Sequence, residues 1–234
     1  MLYIRPPASF IAGDSHMSAA RILLVDDHDI ARQGVSALIT GHAGWEVCGE
    51  AQTGREAVQM AADLQPDVIV MDMLMPDLNG LDAARQIRKR VPGAEILVLS
   101  GHEDARLIQP AFDAGIRAYI FKSQARQHLV PAIASLLARK PYLTSEVSGV
   151  LFERTGPGQS KVEIERRPDA ALTGREREII QLLAEGRSNK QVAALLEISI
   201  KTVETHRASI MRKLNIESLS DLVLFAIRNK IVEA

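Results

Sequence analysis

The stretch DVIVMDMLMPDLNG at residues 67–80 decides the fold of the first part of this chain. Its opening run, Asp67–Asp72, is apolar and rich in β-branched side chains, which predicts a strand buried on both faces, as in a parallel sheet. Pro76 and Gly80 interrupt regular structure and predict a loop. Asp72 therefore ends a buried strand, where open α/β sheets build their sites, and a carboxylate there can act as a nucleophile toward phosphorus.

Three further predicted strands also end in polar side chains. Residues 21–25 run into Asp26 and Asp27, residues 95–99 end at Ser100, and residues 118–121 end at Lys122. Phosphoryl transfer needs positioning and charge neutralisation from a protein rather than covalent chemistry. Crowded carboxylates are tolerable around a cation, and Mg²⁺ prefers a few carboxylates with water and phosphate oxygens. Lys122 would supply a fixed positive charge and Ser100 a hydroxyl donor.

These strand ends and the Asp-x-x-Met-Pro-x-x-x-Gly loop resemble the receiver domain of two-component response regulators, over residues 20–142. The resemblance implies an α/β fold with a doubly wound, five-stranded parallel sheet in the flavodoxin-like order 2-1-3-4-5. It implies that Asp72 is the phosphoacceptor and that Asp26 and Asp27 form the acidic pair of such domains.

The same resemblance implies roles for the residues around Asp72. Mg²⁺ would be held by Asp27, Asp72 and the carbonyl of Leu74. Ser100 and Lys122 match the hydroxyl and the lysine that stabilise the phosphoryl group. Tyr119 matches the aromatic switch residue, and the alternative for it is an ordinary half-buried strand tyrosine.

Residues 169–234 show four helical segments with short breaks, which predicts an all-α domain. Thr173 and Glu176 form a capping box for a helix to about Glu185, Ser188 caps a helix over 189–196, Ser199 caps one from Ile200 to about Leu214, and Ser218 or Ser220 caps a fourth that ends near Lys230. The second and third helices with their tight turn predict a helix-turn-helix, whose second helix enters the major groove of DNA.

The third of these helices has one apolar side and one short, polar and partly basic side. The polar side carries Lys201, Thr205, Ala208, Ser209 and Arg212. A solvated helix face is the alternative to a DNA-binding face, and the preceding turn and helix favour DNA. Arg207 lies between the two sides, next to the apolar one. Its position fits an internal ion pair with Glu176 or Glu178 as well as it fits a contact with a DNA phosphate.

Residues 172–178, 189–190 and 201–207 resemble the LuxR-type DNA-binding domain, and the whole chain from Arg21 onward resembles the NarL/FixJ family of response regulators. In that family the positions of Glu204, Thr205 and Ala208 face the groove. Glu204 would accept a hydrogen bond from a cytosine amine or avoid the bases, whereas the Lys of many members could read guanine. The phosphate contacts implied by the resemblance are Lys190, Lys201, Thr202, Arg207 and Arg212.

Composition agrees with a two-domain cytoplasmic protein. The chain has 234 residues, 47% of them hydrophobic and 24% charged, with a formal net charge of −1, so overall charge alone does not point to nucleic acid. Cys48 is the only cysteine, which suits a reducing compartment, and no apolar stretch approaches the roughly 20 residues of a membrane span. We expect residues 1–19 to be a disordered extension or a tag and residues 143–168 to be a Gly-, Pro- and Ser-containing linker.

These features predict a phosphorylation-dependent transcriptional regulator with three partners: a sensor histidine kinase, promoter DNA and a second copy of the chain. We expect no enzymatic activity beyond its own phosphorylation and dephosphorylation. An aspartyl phosphatase would need a carboxylate where Leu74 stands, and a ligand-sensing LuxR regulator would need more than the 4% of aromatic residues present. A phosphorylation-independent regulator with a vestigial receiver is the third alternative, and the complete set of strand-end residues disfavours it.

Two prolines depart from the receiver pattern. Pro110 falls inside the predicted fourth helix, over residues 104–114, and should break or kink it. Pro131 is easily accommodated if the regular part of the fifth helix starts there.

Overall fold

A computed structural model of the protein describes residues 19–101, 104–155 and 172–233. The extension expected before residue 19 and residues 156–168 of the expected linker lie outside these ranges. No helix in the described ranges has the length and apolar character needed to cross a membrane.

Six parallel strands form one sheet in the order β2-β1-β3-β4-β5-β6. They are β1 Ala20–Val25, β2 Trp45–Ala51, β3 Val68–Asp72, β4 Glu95–Ser100, β5 Ala118–Phe121 and β6 Tyr142–Leu143. The predicted order of the first five strands is confirmed. The sixth strand was not predicted, because two residues are too few to show a period; it extends the edge of the sheet by pairing Ala118 with Tyr142.

Helices cover both faces of this sheet. They are α1 Asp29–Thr40, α2 Gly54–Leu64, α3 Gly80–Arg90, α4 Ala105–Asp113, α5 Ala125–Leu137 and α6 Ser145–Thr155. One buried apolar cluster lies under α2, α3 and α4, and a second lies under α1 and α5. All five residues of β3 are buried, as a strand sandwiched between two helical layers must be. This is the predicted doubly wound arrangement.

Neither unusual proline interrupts its helix. Of the predicted break or kink at Pro110, the break does not occur, because α4 runs continuously from Ala105 to Asp113. The condition under which Pro131 would lie in a first helical turn is not met, because α5 begins at Ala125. A proline has no N–H to donate to the carbonyl of the residue four positions earlier. For Pro110 and Pro131 those residues are Arg106 and Gln127, and both are exposed. Water can therefore hydrogen-bond to their carbonyls.

Four helices follow in the C-terminal part: α7 Gly174–Ala184, α8 Asn189–Leu195, α9 Ile200–Leu214 and α10 Leu219–Arg228. The predicted capping box at Thr173 is present, and Ser218 rather than Ser220 caps α10. Gly186, at φ +82°, ends α7. The helices enclose their own apolar cluster, which includes Ile179, Val203 and Leu222.

Part of the expected linker is helical and packed. A linker was expected from residue 143 onward, whereas α6 extends from Ser145 to Thr155. Val147 of this helix is fully buried in the cluster under α2, α3 and α4. The domain boundaries at 20–142 and 169–234 remain a prediction.

Candidate functional site

Three aspartates converge at the carboxyl edge of the sheet. Asp72 ends β3, while Asp26 and Asp27 follow β1, the neighbouring strand. One oxygen from each of these carboxylates and one ring nitrogen of His28 all lie within 4.8 Å of one another. Asp27 Oδ1 is buried and lies 3.0 Å from Nδ1 of His28. Three converging carboxylates fit a small divalent cation, which prefers oxygen ligands.

Lys122 provides the positive charge of this cluster. Its Nζ lies 2.6 Å from Asp72 Oδ2 and 2.8 Å from Asp26 Oδ2. Burial raises the pKa of Asp72, and the hydrogen bond from Lys122 opposes part of that rise. Burial by itself lowers the pKa of Lys122, but the hydrogen bonds to the two carboxylates outweigh it, so that the pKa is raised overall.

The loop after β3 holds the backbone of Asp72 tightly. The backbone N–H of Met73 donates to Asp72 Oδ1 at 2.6 Å, and the N–H of Gly80 donates to the carbonyl of Met73 at 2.8 Å. A Cβ on Gly80 would lie 2.2 Å from the carbonyl oxygen of Asp72, so only glycine fits there. Leu74, whose carbonyl is a predicted metal ligand, is buried beside Asp27 along a small cavity.

Ser100 and Tyr119 lie on the two strands beyond β3. Ser100 ends β4 and is buried. Tyr119 is 0% exposed, so its ring is buried more deeply than the half-buried strand tyrosine of the alternative. Burial raises the pKa of the Tyr119 hydroxyl to about 12, and the hydrogen bond with the Ser100 side chain opposes part of that rise.

The predicted DNA-binding residues lie together on α8 and α9. Lys190, Lys201, Glu204, Thr205, Ala208 and Arg212 are exposed, and Thr202 and Arg207 are partly exposed. Ser209 does not face outward as the helical angle suggests, because its hydroxyl donates to Glu176 at 3.0 Å.

The alternative ion pair of Arg207 is absent from the described residues. Glu176 pairs instead with Lys213 at 2.7 Å, and Glu178 pairs with Arg175 at 3.0 Å. The guanidinium of Arg207 therefore has no internal carboxylate partner among the described residues and is available for a phosphate.

A polar interface joins α7 to α3 and to the loop that follows Asp72. The amide of Gln181, 1% exposed, donates to the carbonyl of Met75 at 2.8 Å and accepts from the backbone N–H of Asn79 at 2.8 Å. Arg177 pairs with Asp82 at 2.9 Å. Sequence reasoning missed these residues; the one available signal was a glutamine between the apolar residues Ile180 and Leu182 of a short helix.

The fold and site define the class of protein. An acidic cluster with a lysine at the carboxyl edge of a 2-1-3-4-5 sheet, followed by a helix-turn-helix unit, is the architecture of a response regulator. Residues 22–134 match the family model for the response regulator receiver domain. Residues 170–226 match the model for bacterial regulatory proteins of the luxR family.

Whole-chain relatives have the same two parts in one protein. The transcriptional regulatory protein LiaR of Bacillus subtilis is 36% identical over 213 residues, which cover 91% of this chain and 99% of LiaR. The response regulator protein VraR of Staphylococcus saprophyticus is 32% identical over 215 residues, with the same coverage. This chain therefore belongs to the LuxR-type response regulators.

A solved structure supports the same assignment. RcsB of Salmonella enterica serovar Typhimurium, bound to promoter DNA in the presence of the phosphomimetic BeF3⁻, is 25% identical. The match covers 88% of this chain and 97% of that one, with a TM-score of 0.55.

Proposed function

We propose that this protein is a DNA-binding transcriptional regulator that a sensor histidine kinase switches by phosphorylating Asp72. The observation that carries the proposal is the position of Lys122, whose ammonium group bridges Asp72 and Asp26 at the carboxyl edge of the sheet. A buried cation beside a nucleophilic carboxylate is what an acyl phosphate at Asp72 requires. No second carboxylate stands at Leu74 to drive turnover of phosphate esters, which argues against a phosphatase.

The transfer itself follows from the residues around Asp72. The ionised carboxylate of Asp72 attacks the phosphorus of a phosphohistidine; the new O–P bond forms as the N–P bond breaks, and the electron pair leaves with the imidazole. Asp27, Asp72 and the carbonyl of Leu74 would hold Mg²⁺, which neutralises charge on the phosphoryl oxygens when it is bound. Lys122 and Ser100 then stabilise the acyl phosphate. The same site would catalyse the loss of its own phosphoryl group, and no other enzymatic activity is proposed.

The buried position of Tyr119 bears on how the protein responds to phosphorylation. Because its ring is already buried, the switch does not require the ring to travel from the surface into the interior. Instead, the phosphoryl dianion on Asp72 attracts the side chains of Lys122 and Ser100. The interface with α7 is close by in the chain, because Gln181 binds the carbonyl of Met75 in the loop that follows Asp72. Reversing a two-state equilibrium from 1:99 to 99:1 takes about 5.5 kcal/mol, of which a buried dianion with a metal and a lysine supplies a part.

The output is binding to promoter DNA, as for the related RcsB, which has been solved bound to a promoter. Helix α9 would enter the major groove with Glu204, Thr205 and Ala208, while Lys190, Lys201, Thr202, Arg207 and Arg212 would contact phosphates. Dimerisation through α10, whose Leu219 and Leu224 are exposed, would present two recognition helices to two half-sites. A regulator with these partners acts in the cytoplasm.

Intact-mass analysis after incubation with acetyl phosphate and Mg²⁺ tests the proposal. We expect one phosphoryl group on the wild type, none on Asp72→Asn, and one on Asp63→Asn, a control that alters an exposed aspartate of α2. Phosphorylated wild type should bind promoter DNA and dimerise more strongly than Asp72→Asn. Equal DNA binding by the two would favour the alternative of a vestigial receiver.

A further inference from the structure

Arg32, near the start of α1, has a partner for each nitrogen of its guanidinium group. Nε donates to Glu50 at 2.9 Å, Nη1 to the backbone carbonyl of Asp26 at 2.8 Å, and Nη2 to Asp29 at 2.5 Å. The side chain is only 11% exposed. Arg32 therefore joins the loop after β1, the first turn of α1 and the end of β2 through one rigid, planar group.

The contact with Asp26 bears on the next residue, Asp27. The Asp26 carbonyl belongs to the peptide group that links the two aspartates, and a peptide group is planar. Holding that oxygen in place therefore limits how the backbone at Asp27 can turn, and with it the direction of the Asp27 side chain. Arg32 can thus act on a proposed metal ligand through the backbone, without contact with the metal.

All three oxygens of Asp26 are occupied in this way. Oδ1 accepts the N–H of His28 at 2.8 Å, Oδ2 lies 2.8 Å from Lys122 Nζ, and the carbonyl accepts Arg32. Asp26 is 2% exposed, so its carbonyl has little access to water. An unpaired buried carbonyl is unfavourable, and the loop should therefore rearrange if Arg32 is removed.

The carboxylates of Asp29 and Glu50 are exposed, and ion pairs with exposed carboxylates contribute little to stability. Because they bind two edges of the guanidinium group, they orient its third edge toward the Asp26 carbonyl. The three contacts together therefore define one position for Arg32.

The start of α1 lacks a contact that fixes neighbouring helices. In the described structure His28, the N-cap residue of α1, makes no side-chain cap hydrogen bond. The N-cap residues of α2 and α3, Thr53 and Asn79, each accept a backbone N–H of their helix. The loop after β1 therefore relies on Arg32 for a constraint that a cap supplies elsewhere.

We propose that Arg32 is a positioning residue for the metal site at the carboxyl edge of the sheet. It fixes the peptide between Asp26 and Asp27, so that the Asp27 carboxylate converges with that of Asp72. The inference rests on the proposed function, in which Asp27 and Asp72 hold Mg²⁺. Residues that orient a ligand without touching the metal commonly set metal affinity.

The positive charge of Arg32 gives the inference a test by sign. A cation near a metal site repels the metal, so its removal would tighten Mn²⁺ binding if Arg32 acted through charge alone. Loss of a positioning contact should weaken Mn²⁺ binding instead. Arg32→Met removes the charge and the contacts, whereas Arg32→Lys keeps the charge and loses the planar, three-sided contact.

Titration of the full-length variants with Mn²⁺, followed by electron paramagnetic resonance, measures the affinity. We expect it to fall about 10-fold in Arg32→Met and to fall in Arg32→Lys as well. Arg126→Met is the matched control, because Arg126 is an exposed arginine of α5 that borders the same cavity as Asp26 and Lys122. This control should bind Mn²⁺ as tightly as the wild type or more tightly. Wild-type affinity in Arg32→Lys, or tighter binding in Arg32→Met, would overturn the inference.

A second measurement needs neither metal nor phosphoryl transfer. The N–H of His28 donates to Asp26 Oδ1 inside the loop, and its hydrogen exchange in metal-free Arg32→Lys should be faster than in the wild type. Exchange at Val70, in the buried strand β3, should be unchanged. Equal acceleration at both positions would show a general loss of stability and would refute a positioning role.

The two proposals can fail separately. A wild type that binds Mn²⁺ but forms no acetyl-phosphate adduct would refute the proposed function and leave the role of Arg32 in place. A wild type that forms the adduct, with unchanged Mn²⁺ affinity in both Arg32 variants, would refute the role of Arg32 alone.

Discussion

The ammonium nitrogen of Lys122 lies 2.6 Å from Oδ2 of Asp72. Asp72 ends β3 and Lys122 follows β5, so this contact reaches across the end of β4, the strand between them. The same nitrogen is 2.8 Å from Asp26 Oδ2, so one cation serves two buried carboxylates. Lys122 thereby keeps Asp72 closer to its reactive, ionised form than burial alone would allow, and an arriving phosphoryl group must share this cation with Asp26.

Replacing Lys122 by Met should shift the pH at which phosphorylation slows to a higher value. Burial already raises the pKa of Asp72, and the substitution removes the partner that opposes it. Because only the carboxylate anion attacks, the rate falls as pH drops through that pKa, and in the variant it should fall at a higher pH. At a given pH on the acid limb, the variant should therefore form the adduct several-fold more slowly than the wild type. Adduct formation measured by intact mass across the acid and neutral range checks this.

Lys140→Met, in an exposed turn before β6, is the control for Lys122→Met and should keep the wild-type profile. A Lys122→Met profile that coincides with that of the wild type would mean that the contact with Asp72 does not tune the nucleophile.

Gly80→Ala should damage the site without touching a charged group. The added Cβ would meet the carbonyl oxygen of Asp72 at 2.2 Å, so the end of β3 or the start of α3 must shift. We expect destabilisation of about 1–3 kcal/mol and weaker Mn²⁺ binding, measured by chemical denaturation and by titration. Gly93→Ala, where a Cβ meets nothing within 4 Å, is the matched control. Unchanged Mn²⁺ affinity in Gly80→Ala would contradict this expectation.

Local patterns predicted the site because its residues follow buried strands. Asp26, Asp72, Ser100 and Lys122 each end an apolar run, and parallel strands bring such ends to one edge of the sheet. β6 was not predicted because two residues are too few to show the alternating pattern of a strand. The contacts of Gln181 were not predicted because they join positions about 100 residues apart in the sequence, and no pattern within α7 indicates which residues its glutamine contacts.

Gln181→Leu should loosen domain docking. It leaves the carbonyl of Met75 and the N–H of Asn79 without their partner at a buried position. Each unpaired group costs about 1–3 kcal/mol if it stays buried, so the interface should open to water instead. Small-angle X-ray scattering should report a larger radius of gyration for the variant. Gln59→Leu, on the exposed side of α2, should leave it unchanged. Identical scattering for Gln181→Leu and wild type would indicate that other contacts suffice.

Lys201→Ala should weaken DNA binding without changing its sequence preference. Lys201 is exposed on the first turn of α9 and carries a proposed phosphate contact. Loss of one such contact lowers the slope of log affinity against log salt by about 1, equally for promoter and non-specific DNA. Binding measured at several salt concentrations by fluorescence anisotropy tests this, with Lys140→Ala as the control. An altered base preference in Lys201→Ala would assign the residue to base recognition.

Glu176 is expected to make the C-terminal domain sensitive to acid. Burial opposes ionisation of this carboxylate, but Lys213, the Thr173 N–H and Ser209 hold its pKa at about 2, below the ordinary glutamate value of 4.5. A lowered folded-state pKa contributes stability that is fully present above pH 4.5 and is lost as pH falls toward 2. Glu176→Gln removes the charge and keeps a residue suited to the capping box. It should cost about 2 kcal/mol at neutral pH.

The pH dependence separates this charge effect from a simple loss of packing. The difference in unfolding free energy between wild type and Glu176→Gln should be constant above about pH 5 and should shrink between about pH 4.5 and 2, because protonated Glu176 no longer attracts Lys213. Urea denaturation of both proteins across that range measures it, and Glu217→Gln should show no such dependence. A difference that stays constant down to about pH 3 would mean that Glu176 acts through its shape and hydrogen bonds rather than through its charge.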